Sequence, residues 1–156
     1  MAQLLFVFSS CEKDTDFVKQ DSEIKAYNFT VTQDGNYLED FESVSKTSYA
    51  AAAVSFLDGN WYFDDALIGT LGDDAKTGSR SARLRNSALL TMQFDLEEGA
   101  KSISIDYGKY GRDKSSVFEV YYSTNSGASW TKTGSAITVS KTALNTAVFN
   151  LNVTGN

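Results

Sequence analysis

The chain has 156 residues, enough for one domain with a buried core and some tail, and it carries a formal net charge of −6, which argues against a basic nucleic-acid-binding surface. Histidine is absent, which removes the commonest general base and metal ligand; proline is absent too, so turns must be built from Gly, Asn and Asp. Eight Tyr, ten Phe and two Trp, beside plentiful Ser and Thr, favour strands over helices.

The first element is the apolar run Leu4 to Phe8, far too short to span a bilayer and without a preceding basic residue, so not a complete signal peptide. It leads to Cys11, the only cysteine, which excludes an internal disulfide. One reading is a buried free thiol on an N-terminal strand. The other uses the neighbours: Phe8-Ser9-Ser10-Cys11 resembles a bacterial lipobox, and "CEKDTD" resembles the acidic stretch after the lipidated cysteine in surface-exported lipoproteins of Bacteroidota. The resemblance implies that Cys11 is lipidated, that residues 1–11 are a remnant of the signal peptide, and that the protein sits at the outer membrane or cell surface. Each acyl chain contributes roughly 0.8 kcal/mol per buried methylene, and two or more chains anchor stably. The membrane would be met through that anchor alone. The missing basic region points to Met1 as an internal start or a truncation.

Residues 12–36 mix charges with scattered apolar side chains and read as a tether, with Ala26 to Thr32 able to form a short strand. From Tyr37 onward period-2 alternation takes over. "YAAAAVSF" (Tyr49 to Phe56) has four helix-favouring alanines, but Val54, Phe56 and the flanking turn signals make it a strand. "SARLR" buries Ala82 and Leu84 and turns Arg83 and Arg85 outward together. "LLTMQFDL" points Leu90, Met92, Phe94 and Leu96 to one face; "SISIDYG" does the same with Ile103, Ile105 and Tyr107. "VFEVYYS" buries Phe118, Val120 and Tyr122, and "VFNLNV" buries Phe149, Leu151 and Val153. Such runs, separated by Gly, Asn, Asp and Ser, predict an all-β antiparallel sandwich over residues 37–156.

"STNSGASW" (Ser123 to Trp130) resembles an Asp-box hairpin, Ser-x-Asp-x-Gly-x-Thr-Trp, with Asn125 and Ser129 in place of the aspartate and threonine. Asn125 can bind nearby backbone amides, Gly127 can take the positive φ of a tight turn, and Trp130 folds back over the hairpin. Asp-boxes lie away from active sites, so the motif is structural. Together "EDFES", "WYFDDALIG", "KTGSRSARLRNS" and "FEVYYSTNSGASW" resemble a family of secreted and lipid-anchored β-sandwich modules of Bacteroidota with a galactose-binding-like jelly-roll fold. The resemblance runs from Glu39 to the C-terminus. It implies a module often found beside a secreted endonuclease or other hydrolase domain. Related modules usually continue through one more strand, so the chain is expected to lack its C-terminal strand. The segment from Tyr37 to Ser43 is then expected to want a partner from beyond Asn156.

No catalytic constellation emerges. The acidic pairs Asp64-Asp65, Asp73-Asp74 and Glu97-Glu98 point to opposite faces if they lie on strands and fit solvated turns better than a glycosidase pair. No histidine exists to activate a serine, and no Gly-x-Ser-x-Gly elbow occurs. The family resemblance implies a structural calcium near the first and last strands, drawing on Glu42. Otherwise no cofactor is expected. For ligand binding, aromatic faces that stack on sugars and charged groups that bond hydroxyls single out Arg83, Arg85, Tyr110, Tyr121 and Trp61. The bland reading has Trp61 capping the core and the arginines pairing with surface acids such as Glu119. The expectation is a non-catalytic, surface-anchored, carbohydrate-binding or accessory module, not an enzyme, with no nucleic-acid partner of its own. The alternative is a structural spacer ahead of an enzyme domain such as a nuclease or glycoside hydrolase.

Overall fold

The computed structural model describes residues 2–9, 23–32 and 37–155. Among them there is no helix; ten strands run antiparallel. They are β1 (Gln3–Ser9), β2 (Glu23–Thr32), β3 (Tyr37–Glu39), β4 (Ala52–Phe56), β5 (Gly59–Gly69), β6 (Ser81–Met92), β7 (Gly99–Lys109), β8 (Ser116–Ser123), β9 (Thr131–Val139) and β10 (Asn145–Thr154).

Strand β6 organises the sandwich-like arrangement because its two halves carry different branches of one ten-stranded sheet. Its first half, Ala82 to Arg85, pairs with β2, which passes the ladder on through β7 to β10. Its second half, Leu89 to Thr91, pairs with β1, which passes it on through β8 to β9. Strand β5 accompanies β6 along both halves, with a register shift between Asp64 and Ala66. Asp65 and Asn86 both adopt left-handed backbone there, with φ of 51° each. The Asp65 carboxylate pins the corner, accepting from Arg85 Nε and Asn86 Nδ2, each at 2.7 Å. A bulge of this kind bends a strand and lets it leave one branch for the other.

The alternation read from sequence is the alternation observed. Ala82, Leu84, Leu90, Met92, Ile103, Ile105, Phe118, Val120, Phe149 and Leu151 are all buried, with Phe94, Leu96, Tyr107, Tyr122 and Val153 packed against them. At one end of the core Phe41 makes edge-to-face contacts with Phe56, Trp61 and Phe63, at centroid distances of 5.8, 6.2 and 6.2 Å. Trp61 Nε1 donates to Tyr37 Oη at 3.1 Å, and that hydroxyl donates to Glu39 Oε2 at 3.2 Å. Burial pushes the Glu39 carboxyl above the usual range, against the pull of the Phe41 amide and the Tyr37 hydroxyl.

Four segments bear on the sequence reading. "YAAAAVSF" is a strand, but only from Ala52, and it lies at an edge against β5. Glu23–Thr32, inside the segment read as a tether with a short strand open from Ala26 to Thr32, runs as a strand between β6 and β7. Gln3–Ser9 lies between β6 and β8. Strand β3, expected to need a partner from beyond Asn156, pairs with β2 through Phe29↔Glu39 and Val31↔Tyr37.

Candidate functional site

The five side chains singled out for ligand binding do not converge. Trp61 belongs to the core: it is fully buried and its ring meets Phe41 and Phe94. Arg83 lies on the outer side of β6, as alternation requires, yet it is only 7% exposed. The loop after β5 folds over it and brings Asp74, whose carboxylate takes both prongs of the guanidinium, with Nε to Oδ1 at 2.9 Å and Nη2 to Oδ2. The Tyr110 ring covers the remaining face, 4.5 Å from Arg83 Cζ. Arg85 is half-buried between Asp65 and the Tyr49 ring, 3.9 Å from its Cζ. The arginines therefore do not pair with Glu119, and Arg83 is not an open surface group. Its partners hold a loop. Gly69 is required beneath it, since a Cβ there would run into the Asp74 carboxylate.

Tyr121 sits on the other branch of the sheet. It is half-exposed on the outer side of β8, and its hydroxyl donates to Glu119 Oε2 at 2.7 Å. Lys132 Nζ, across the ladder on β9, donates to Glu119 Oε1 at 2.5 Å. The two hydrogen bonds hold the Glu119 carboxyl below its usual range, while the bond to Glu119 pushes the Tyr121 phenol and the Lys132 ammonium up. The Tyr121 phenol thus reaches two residues back along its own strand.

Register extends this position into a row that crosses six strands. Ala53 pairs with Tyr62, Tyr62 with Thr91, Thr91 with Leu5, Leu5 with Tyr121 and Tyr121 with Lys132. Every member is half-buried or exposed, on the outer face of the sheet whose inner face carries Trp61, Phe63, Leu90 and Val120. Tyr62 and Tyr121 stand three strand spacings apart, roughly 14 Å at about 4.8 Å per strand. The aromatic that joins Tyr121 is thus Tyr62 and not Trp61, its neighbour on the opposite face. The signal was present in the sequence as the alternation that puts Trp61 and Phe63 on one side.

Glu42, named for calcium, is used by its own loop. Its Oε1 accepts the amides of Ser79 at 2.7 Å and Arg80 at 2.9 Å, while Arg80 Nη1 donates to the Val44 carbonyl. Lys46 Nζ meets the carbonyls of Ser48, Ala50 and Ala66, the last two at 2.7 Å. Among the described residues no group of three or more acids is gathered as a metal site. Cys11 lies outside the described residues.

The hairpin Ser123 to Trp130 closes through its own polar groups. Ser123 Oγ accepts the Gly127 amide at 2.9 Å, Asn125 Oδ1 accepts the Ser129 amide at 2.9 Å, and Gly127 has a φ of 80°. No family model matches the chain, and no curated protein or solved structure is matched by it.

Proposed function

We propose that the protein is a non-catalytic β-sandwich module of the galactose-binding-like jelly-roll kind found in Bacteroidota, and that it binds glycans through the outer face carrying Tyr62 and Tyr121. The observation that carries this reading is the cross-strand row Tyr62–Thr91–Leu5–Tyr121–Lys132. Two tyrosines set apart on a firm sheet offer stacking faces at low entropic cost. Thr91 and Lys132 beside them supply groups that bond hydroxyls. A polysaccharide laid across the strands would meet both rings. The non-catalytic part rests on chemistry: the sequence has no histidine, and Glu39, Glu42, Asp65, Asp74 and Glu119 are each engaged by structural donors.

Affinity gel electrophoresis against a panel of neutral and acidic polysaccharides tests the reading. At least one should retard the wild type, and Tyr62→Ala with Tyr121→Ala should abolish the shift. Ring contacts of about 0.5–1.5 kcal/mol each predict a loss of roughly tenfold or more in affinity. Thermal stability should change little, because both rings lie on the outer face. If no polysaccharide retards the wild type, the binding reading falls and the spacer role replaces it.

A surface anchor is the competing reading and rests on the lipobox-like Phe8-Ser9-Ser10-Cys11: lipidation there follows cleavage before Cys11, which would remove Gln3–Ser9 and with it Leu5, so the anchor and the intact row exclude each other. On that reading, with a complete signal sequence supplied, the wild type should partition into detergent and Cys11→Ala into the aqueous phase. Aqueous partitioning of both would remove the anchor.

A further inference from the structure

Strand β8 carries two adjacent tyrosines, Tyr121 and Tyr122, which alternation sends to opposite sides. Tyr121 belongs to the outer face described above. Tyr122 turns inward at the end of the sandwich where β8 and β10, which are not paired with each other, leave a groove of 440 Å³ between them. That volume falls in the range of about 300–1,000 Å³ that small-molecule sites occupy. Leu151, 7% exposed, and Val153, both on β10, are the apolar residues that line it with Tyr122. Thr124 and Ser126, from the hairpin after β8, and Asn152 and Thr154, from β10, form its rim.

We infer that this groove binds a single uncharged sugar ring, at a site separate from the tyrosine face. A pyranose presents an apolar C–H face and a circumference of hydroxyls. The groove offers the matching set: one aromatic ring with aliphatic neighbours, ringed by hydroxyls of Thr124, Ser126 and Thr154 and the amide of Asn152. None of its lining residues is charged. A carboxylate, sulfate or phosphate would meet no cation among them, and Asp95 stands behind Ser126, so the groove selects against anions.

The backbone singles out the same place. Five non-glycine residues among those described have left-handed φ, and two of them, Ser126 at 52° and Asn152 at 53°, line this groove. Residues in such sparsely populated conformations cluster at binding sites. Asn152 lies in the register shift of β10 between Asn150 and Val153, and a bulge there re-aims its amide away from the ladder. Ser126 is fixed from behind, its hydroxyl donating to Asp95 Oδ2 at 2.8 Å, which leaves its oxygen able to accept from a ligand hydroxyl.

The test is a titration followed by amide NMR, using galactose, glucose, mannose, N-acetylglucosamine and glucuronate as probes. At least one neutral sugar should shift the amides of Thr124, Ser126, Asn152 and Thr154, with glucuronate weaker by about tenfold or silent. Asn152→Gly keeps a residue suited to left-handed backbone and removes only the side-chain amide; it should weaken that titration severalfold while leaving the melting temperature within the range of the wild type. The Tyr62→Ala, Tyr121→Ala variant should titrate in the groove as the wild type does. The inference is overturned if no neutral sugar moves those four amides, if glucuronate moves them equally, or if Asn152→Gly binds unchanged. Retention on a polysaccharide gel without any groove response would overturn this site alone. A groove response in a protein that no polysaccharide retards would instead overturn the tyrosine face.

Discussion

Replacing Arg83 with alanine is expected to destabilise the protein by about 3–5 kcal/mol, the range for removing one partner of a buried ion pair. The sequence suggested otherwise, since alternation placed Arg83 beside Arg85 on an outer face where truncating both should cost little. Burial decides the matter. The Asp74 side chain has no exposure and the Arg83 side chain 9%, so Arg83→Ala would remove the guanidinium that bonds both oxygens of a buried carboxylate. Asp74 Oδ2 keeps the Leu71 amide at 2.6 Å, which does not neutralise it. For a chain of this size, each kcal/mol shifts the melting temperature by roughly 2–4 °C, so the fall should be on the order of 10 °C. Arg83→Lys would keep the charge but lose the fork and the stacking on Tyr110, and should fall between the two. The double variant Arg83→Met with Asp74→Leu removes both charges and should melt above Arg83→Ala, since buried pairs replaced by apolar groups are often neutral. A melt of Arg83→Ala indistinguishable from the wild type would show that the pair is solvated and that the loop does not cover it.

The fate of Arg83 also marks what was legible in the sequence. Period-2 alternation tells which side of a strand a residue takes, and it assigned Ala82, Leu84, Leu90, Met92, Phe118 and Val120 to the interior correctly. It does not tell what covers the outer side. Asp74 arrives from a loop with no periodicity, so its reach over β6 is a tertiary fact. Trp61 was ambiguous for a different reason: in "WYFDD" three aromatics follow one another, and hydropathy alone cannot assign their faces. The register with β6 does so, pairing Tyr62 with Thr91 and Phe63 with Leu90. The corner at Asp65 left a trace that is readable in hindsight. Buried positions fall at Trp61 and Phe63, then at Ala66 and Ile68, and that change of parity requires one extra residue between them. Strand β2 left a partial trace: Ala26 to Thr32 read as a possible short strand, but its start at Glu23 and its place in the sheet did not show. Its neighbours β6 and β7 supply its hydrogen bonds, and a segment of mixed charge does not announce that from within.

Phe41 should respond to substitution in an order opposite to the usual one. The residue is fully buried, and Phe41→Ala is expected to cost about 3–5 kcal/mol through lost contacts with Phe56, Trp61 and Phe63 and the space left behind. Glycine at a typical site is worse than alanine by roughly 0.5–1 kcal/mol, because it loses more backbone freedom on folding. At Phe41 the backbone is left-handed, with a φ of 60°, a conformation rare for a bulky residue. It is set by a turn that two acids close: Glu39 Oε1 accepts the Phe41 amide at 2.8 Å and Asp40 Oδ1 accepts the Glu42 amide at 3.0 Å. A residue with a Cβ is disfavoured there by about 1–2 kcal/mol, and glycine escapes that cost. Phe41→Gly should therefore be as stable as Phe41→Ala or up to about 1 kcal/mol more stable. Urea denaturation of both variants, compared at equal m-values, measures the difference. Alanine better than glycine by its usual margin would mean that the turn relaxes to ordinary backbone once the ring is gone. Glycine equal or better would mean that the turn keeps its shape without the ring, held by the two carboxylates, and that the aromatic contacts normally offset the strain it imposes.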